Sequence, residues 1–105
     1  MNPFRDRSPE RVAERYLSEL RAGRTAVLTD LLTSSNREHI INAERKWPVE
    51  SWRVGGRRDT RAGSELMYWV TRGNGYSSRG DEEEVSFQVI GFGRQAQVVG
   101  FNAIY

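Results

Sequence analysis

The rhythm of apolar residues changes at Trp47-Pro48. Before this pair they recur at helical spacing, three and four residues apart; after it they alternate residue by residue, the period of a half-buried strand. Pro48 biases Trp47 away from helical geometry, so the junction is also a physical stop. A helical first half followed by a β second half predicts an α+β domain, with N-terminal helices packed on a curved, mainly four-stranded antiparallel sheet.

Within the first half, residues 1–7 read as a tail and residues 8–105 as one domain. Ser8-Pro9-Glu10 opens a helix: serine as a cap, proline in the first turn, glutamate at the positive end. Val12, Ala13, Tyr16, Leu17 and Leu20 form its apolar stripe, and Gly23 ends it in the left-handed cap conformation. A second short helix carries Val27, Leu28, Leu31 and Leu32. Ser35-Asn36-Arg37-Glu38 has the form of a capping box for a third helix running to Trp47.

The β half reads as two hairpins. Val49–Arg58 and Ser64–Arg72 flank a turn, Gly73–Gly80 is a polar glycine-rich loop, and Glu84–Phe92 turns through Gly93-Arg94 into Gln95–Tyr105. Simple alternation puts Val99, Phe101, Ala103 and Tyr105 on one face of the last strand, and Val98 and Ile104 on the other. Strand two carries Leu66, Tyr68 and Val70 on one face but Met67 and Trp69 on the other; strand three also has apolar groups on both faces. A sheet covered on one side needs only one apolar face. The second face predicts a homodimer through the outer side of the sheet, using Met67, Ile90, Phe92, Val98 and Ile104.

Composition excludes several classes. A chain of 105 residues supports one core, and with no cysteine it has neither disulfides nor thiolate metal sites. No apolar run approaches the ~20 residues of a membrane helix, and the polar N-terminus is unlike a signal peptide, so a cytoplasmic location is expected and no membrane partner. Of sixteen basic residues only Lys46 is lysine, yet the formal net charge is just +2. That balance argues against a nucleic-acid partner, which would need a concentrated basic surface.

Tyr16-Leu17-Ser18-Glu19-Leu20-Arg21-Ala22-Gly23, then Val27-Leu28 and Leu31-Leu32, resembles the helix–Gly–helix opening of the NTF2-like (cystatin-like α+β) superfamily. The likeness extends to element order over nearly the whole chain. It implies a sheet wrapped around helices to form a conical pocket, and dimerisation through the sheet's outer face. The superfamily includes isomerases, dehydratases and many non-catalytic binding domains, and fold alone does not choose among them. Its enzymes usually place Asp, Glu or His inside the pocket. In the β half here, Asp59, Glu65 and Asp81 to Glu84 all fall at strand ends or turns, which favours a binding role over catalysis.

The candidate sites follow from these readings. Aromatic walls give a pocket area at small entropic cost, so Tyr16, Trp47, Trp52, Tyr68, Trp69 and Phe101 are the expected lining for a small apolar ligand. The enzymatic alternative, an isomerase or hydro-lyase, would use Tyr16 and the only histidine, His39; the resemblance implies an oxyanion-donor role for the tyrosine. The nucleic-acid alternative rests on Arg53, Arg57, Arg58 and Arg61 around the first β turn, beside Trp52. No metal or cofactor is expected, because the acidic run Asp81–Glu84 lacks the spaced oxygen ligands of a calcium loop.

Overall fold

A computed structural model describes residues 7–77 and 80–104. The remainder of the expected tail, residues 1–6, and Tyr105 lie outside the described residues. The order is α1 (Ser8–Arg21), a 3-10 segment (Thr25–Leu31), α2 (Arg37–Lys46), β1 (Val49–Asp59), β2 (Gly63–Arg72), β3 (Glu82–Ile90), a 3-10 turn (Gly93–Gln95) and β4 (Gln97–Ala103). The strands form one antiparallel meander in the order β1-β2-β3-β4, with the helices before it in sequence and against one of its faces. The α+β expectation holds. Among the described residues, no helix is long and apolar enough to cross a membrane.

Helix α1 buries Pro9, Ala13, Leu17 and Leu20, spaced four, four and three residues apart. It ends in a Schellman motif: the Arg24 N–H donates to the Glu19 carbonyl at 2.9 Å and the Gly23 N–H to Leu20 at 3.0 Å. Gly23 adopts φ +82° there, a geometry that penalises residues with a Cβ. Three expectations from sequence need correction. Ser8 lies inside α1, with Arg7 at the cap position and no side-chain cap bond; the second helix is a 3-10 segment, and the capping box does not form. Asn36 stands at the α2 cap position without a side-chain cap bond, while the Ser35 hydroxyl meets Thr33 Oγ1 at 3.0 Å. The Thr33–Asn36 turn uses these short polar side chains locally, so none is left for the helix N-terminus.

The inner face of the sheet is continuous across strands. Val49, Trp52 and Val54 of β1 pair with Arg72, Val70 and Tyr68 of β2. Tyr68 and Leu66 in turn pair with Val85 and Phe87 of β3, and Phe87 and Val89 with Phe101 and Val98 of β4. Leu17, Leu20 and Leu28 close over this face to complete the core. Gly63 is required by close approach, because a Cβ there would lie 2.0 Å from the Val89 carbonyl oxygen.

Register in β4 departs from simple alternation. Gln88 pairs with Gly100 but Val89 pairs with Val98, so Val99 is an extra residue, a β-bulge. The bulge turns Val98 inward, 7% exposed, and leaves Val99 outside, 43% exposed. Val98 therefore belongs to the core rather than to an outer-face interface.

At the end of the sheet nearest α2 sits a buried ion cluster. The Arg72 guanidinium grips Glu44 of α2 through two bonds, Nη2 to Oε2 at 2.7 Å and Nη1 to Oε1 at 2.8 Å. Nη1 also donates to the Trp47 carbonyl at 2.7 Å, and Nε donates to Glu83 Oε1. The side chains of Arg72 and Glu44 are fully buried and that of Glu83 is 8% exposed. Burial alone would lower the Arg72 pKa; hydrogen bonding and charge from Glu44, then from Glu83, hold it above its ordinary value.

Removing the cation would strand two carboxylates in the interior. Arg72→Ala is expected to cost about 3–5 kcal/mol in denaturant unfolding. A joint replacement of Arg72, Glu44 and Glu83 by apolar residues of similar volume is expected to cost far less, because no unpaired charge remains. Equal losses in the two variants would show that packing, not charge pairing, dominates at this place.

Candidate functional site

The main concavity is a cleft of about 680 Å³ between α1, the 3-10 segment and the start of β4. Val12 and Tyr16 come from α1, Val27 and Leu31 from the 3-10 segment, and Ala96, Val98 and Val99 from β4 and the turn before it. The walls result from helix geometry. Val12 and Tyr16 lie beside the buried Ala13 and Leu17, on the flank of the stripe that α1 does not press fully onto the sheet. Val27 and Leu31 occupy the same flank position relative to the buried Leu28. Tyr16 is held against the core by Phe87, ring centroids 6.2 Å apart, and Phe87 packs on Phe101 at 5.5 Å.

Polar groups sit around this apolar wall: Arg15, Glu19, Asp30 and Gln97. Glu19 is paired with Arg24. Among the described residues, Arg15 and Asp30 have no ion pair and the Tyr16 hydroxyl no hydrogen bond. The cleft thus offers an apolar floor with one hydroxyl, one cation and one carboxylate free to meet a ligand.

A second, more polar hollow of about 420 Å³ lies between α1 and β1, lined by Arg7, Glu10, Arg11, Glu14 and Val54. Beneath it the Glu14 carboxylate accepts from Trp52 Nε1 at 3.2 Å and from the Tyr68 hydroxyl at 3.3 Å. Arg57 donates to both oxygens of Glu10, at 2.9 and 3.1 Å, and to Asp59 at 2.7 Å. Tyr68 is wholly buried, and its phenol is pushed well above the ordinary range, by burial first and then by the Glu14 charge. These polar groups satisfy one another and tie α1 to β1 and β2.

Of the expected ligand walls, only Tyr16 lines the main cleft. Tyr68 is core; Trp52 is half-buried under Arg21, whose guanidinium carbon lies 4.7 Å from the ring centroid. Phe101 packs in the core layer behind Phe87. Trp69 lies on the outer face of the sheet, approached by Arg53 at 5.8 Å. Trp47 packs edge-on against Tyr76, centroids 5.2 Å apart. Residues 74 and 76 of the loop are thereby tied to the end of α2, Asn74 Nδ2 adding a bond to the Lys46 carbonyl at 3.1 Å.

The enzymatic pair is not brought together, since His39 is on the exposed side of α2 and is absent from the cleft walls. The four turn arginines do not make a free basic patch. Arg53 forms a bidentate pair with Glu82, both bonds 2.8 Å; Arg57 is taken up by Glu10 and Asp59, and Arg58 pairs with Glu65 at 2.5 Å. Arg61 is exposed on the turn. Among the described residues no three His, Cys, Asp or Glu side chains gather as a metal-holding group. Sequence reasoning missed Val27, Leu31, Ala96 and Val99 as cleft walls. The two helical residues carried an apolar signal, but apolar spacing does not separate a core residue from one at a cleft. Compared with family models, curated proteins and solved structures, the chain matches none.

Tyr76 gives this end of the molecule a titration signature. Its phenol is pushed up from 10.0 to about 12, by interaction with the Glu83 carboxylate first, then by burial, with Arg72 opposing. A group whose pKa is raised on folding adds stability that is complete below its unfolded value and lost as pH climbs through its folded value. Between pH 10 and 12 the wild type is therefore expected to lose stability faster than Tyr76→Phe. Chemical unfolding across that range checks this, with phenolate absorbance reporting a late-ionising tyrosine that the variant lacks.

Proposed function

We propose that this chain is a small NTF2-like binding domain whose site is the apolar cleft between α1, the 3-10 segment and β4. The observation that carries the reading is the wall itself: Val12, Tyr16, Val27, Leu31 and Val98 border a volume suited to one small ligand, and His39, the partner expected for Tyr16 in catalysis, does not face it. The cleft is mostly apolar with a few convergent polar groups, so it selects a ligand with an apolar body and a single polar head. Arg15 and the Tyr16 hydroxyl can meet a hydrogen-bond-accepting part of that head, and Asp30 a donating part. Self-association belongs to the same reading, supported by Ile90, Phe92, Val99 and Ile104, which are 44%, 48%, 43% and 60% exposed.

Anilinonaphthalene sulfonate, an apolar ring system with one anionic head, is a suitable probe. Saturable fluorescence enhancement at one site per chain is expected. Val27→Glu should weaken it at least about tenfold, equivalent to ~1.4 kcal/mol, while circular dichroism stays unchanged. Absence of saturable binding, or equal affinity in the variant, would overturn the assignment of the cleft.

A further inference from the structure

The two edges of the sheet are built differently. β1 is guarded: it follows Pro48, contains two irregularities of register, and carries Glu50, Arg53, Arg57, Arg58 and Asp59. Charges of this kind stop an edge strand from pairing with another chain; β4 shares one device with β1, the bulge at Val99, which leaves residues 100–103 as its regular stretch. β4, Gln-Val-Val-Gly-Phe-Asn-Ala over Gln97–Ala103, carries no charge at all. It is the last strand of the order β1-β2-β3-β4, so alternate backbone N–H and C=O groups point away from β3 and, among the described residues, meet no further strand. The exposed apolar side chains Val99, Phe92 and Ile104 lie on this strand or directly beside it.

The outer face is less suited to self-pairing. The ion pairs Arg53–Glu82 and Arg58–Glu65 run across it on either side of Met67 and Trp69. A face-to-face contact across a two-fold axis would have to take these exposed ion pairs out of water, and that desolvation conflicts with association. An uncharged strand is free of that conflict.

We propose that β4 pairs antiparallel with β4 of a second copy, extending the sheet across a two-fold axis. This rests on the self-association reading above and moves the interface from the face of the sheet to its edge. It has a consequence for the cleft, because Ala96 to Val99 form one cleft wall. The second copy then runs alongside the cleft, and ligand binding and dimerisation become linked, each changing the other's affinity by the same factor.

Size-exclusion chromatography with light scattering, over a concentration series, tests the pairing. The wild type is expected at twice the chain mass. Val99→Lys, a charge at an exposed edge position, should raise the dimer dissociation constant at least about tenfold with an unchanged circular dichroism spectrum. Glu84→Lys, exposed on the outer face opposite Trp69, should leave the dimer intact. As the chain lacks cysteine, and with the two-fold axis placed beside the bulge, Val99→Cys should cross-link to its copy under mild oxidation while Ser51→Cys on β1 does not. A monomeric wild type would overturn self-association altogether. A dimer dissolved by Glu84→Lys but not by Val99→Lys would overturn the edge pairing alone and return the interface to the face.

Discussion

A guanidinium sealed between two carboxylates at one end of the sheet is the constraint around which the other elements are arranged. Arg72 ends β2, Glu83 is the second residue of β3 and Glu44 lies in the last turns of α2, so three elements meet at one fully buried charge. Charges out of water are tolerable only with close partners, and this geometry leaves little freedom in where α2 ends. The Trp47 carbonyl, at the turn from helix to strand, accepts from the same guanidinium. The cluster therefore locks the junction at which the chain changes from helix to sheet. Its worth lies more in specifying one arrangement than in net stability, because a well-packed apolar set of similar volume would forgo the desolvation cost.

The opposite end is tied differently. Glu14 holds Trp52 and Tyr68, and Arg57 joins Glu10 to Asp59, so α1 is fastened to β1 and β2 by polar bonds around an apolar core. With α1 fixed on that side and α2 at the Arg72 cluster, the margin next to β4 is left with apolar walls and no lid. The cleft and the uncharged edge lie together there. The proposed binding surface and the proposed association surface share one strand, an arrangement in which each can influence the other.

Much of the fold was legible locally. Gly23 ends α1 in the left-handed conformation that its sequence position suggests, and Pro48 marks the entry to β1. Strict alternation in Leu66, Tyr68 and Val70, and in Val85, Phe87 and Val89, reports inner-face residues correctly. The site was less legible. Large aromatics are attractive as ligand walls, yet Trp69 lies on the outer face and Tyr68 is core; size and polarity alone do not say which surface a strand residue faces. Val98 and Val99 show the limit most clearly. One extra residue in β4 exchanges their faces, and nothing in Gln97-Val98-Val99-Gly100 announces where pairing with β3 slips.

The sequence by itself determined the periodicities, and through them the order of helices and strands, the hairpin turns and most of the core, because these follow from local backbone geometry and nearest-neighbour spacing. Tertiary structure alone decided which charges pair and which concavity stays open. Arg72 and Glu44 are 28 residues apart, and their partnership exists only once α2 and β2 are packed. The cleft likewise draws on three separated segments, none of which carries its shape. Long-range partnerships depend on where elements come to rest against one another, and that is a property of the packed chain rather than of any window of residues.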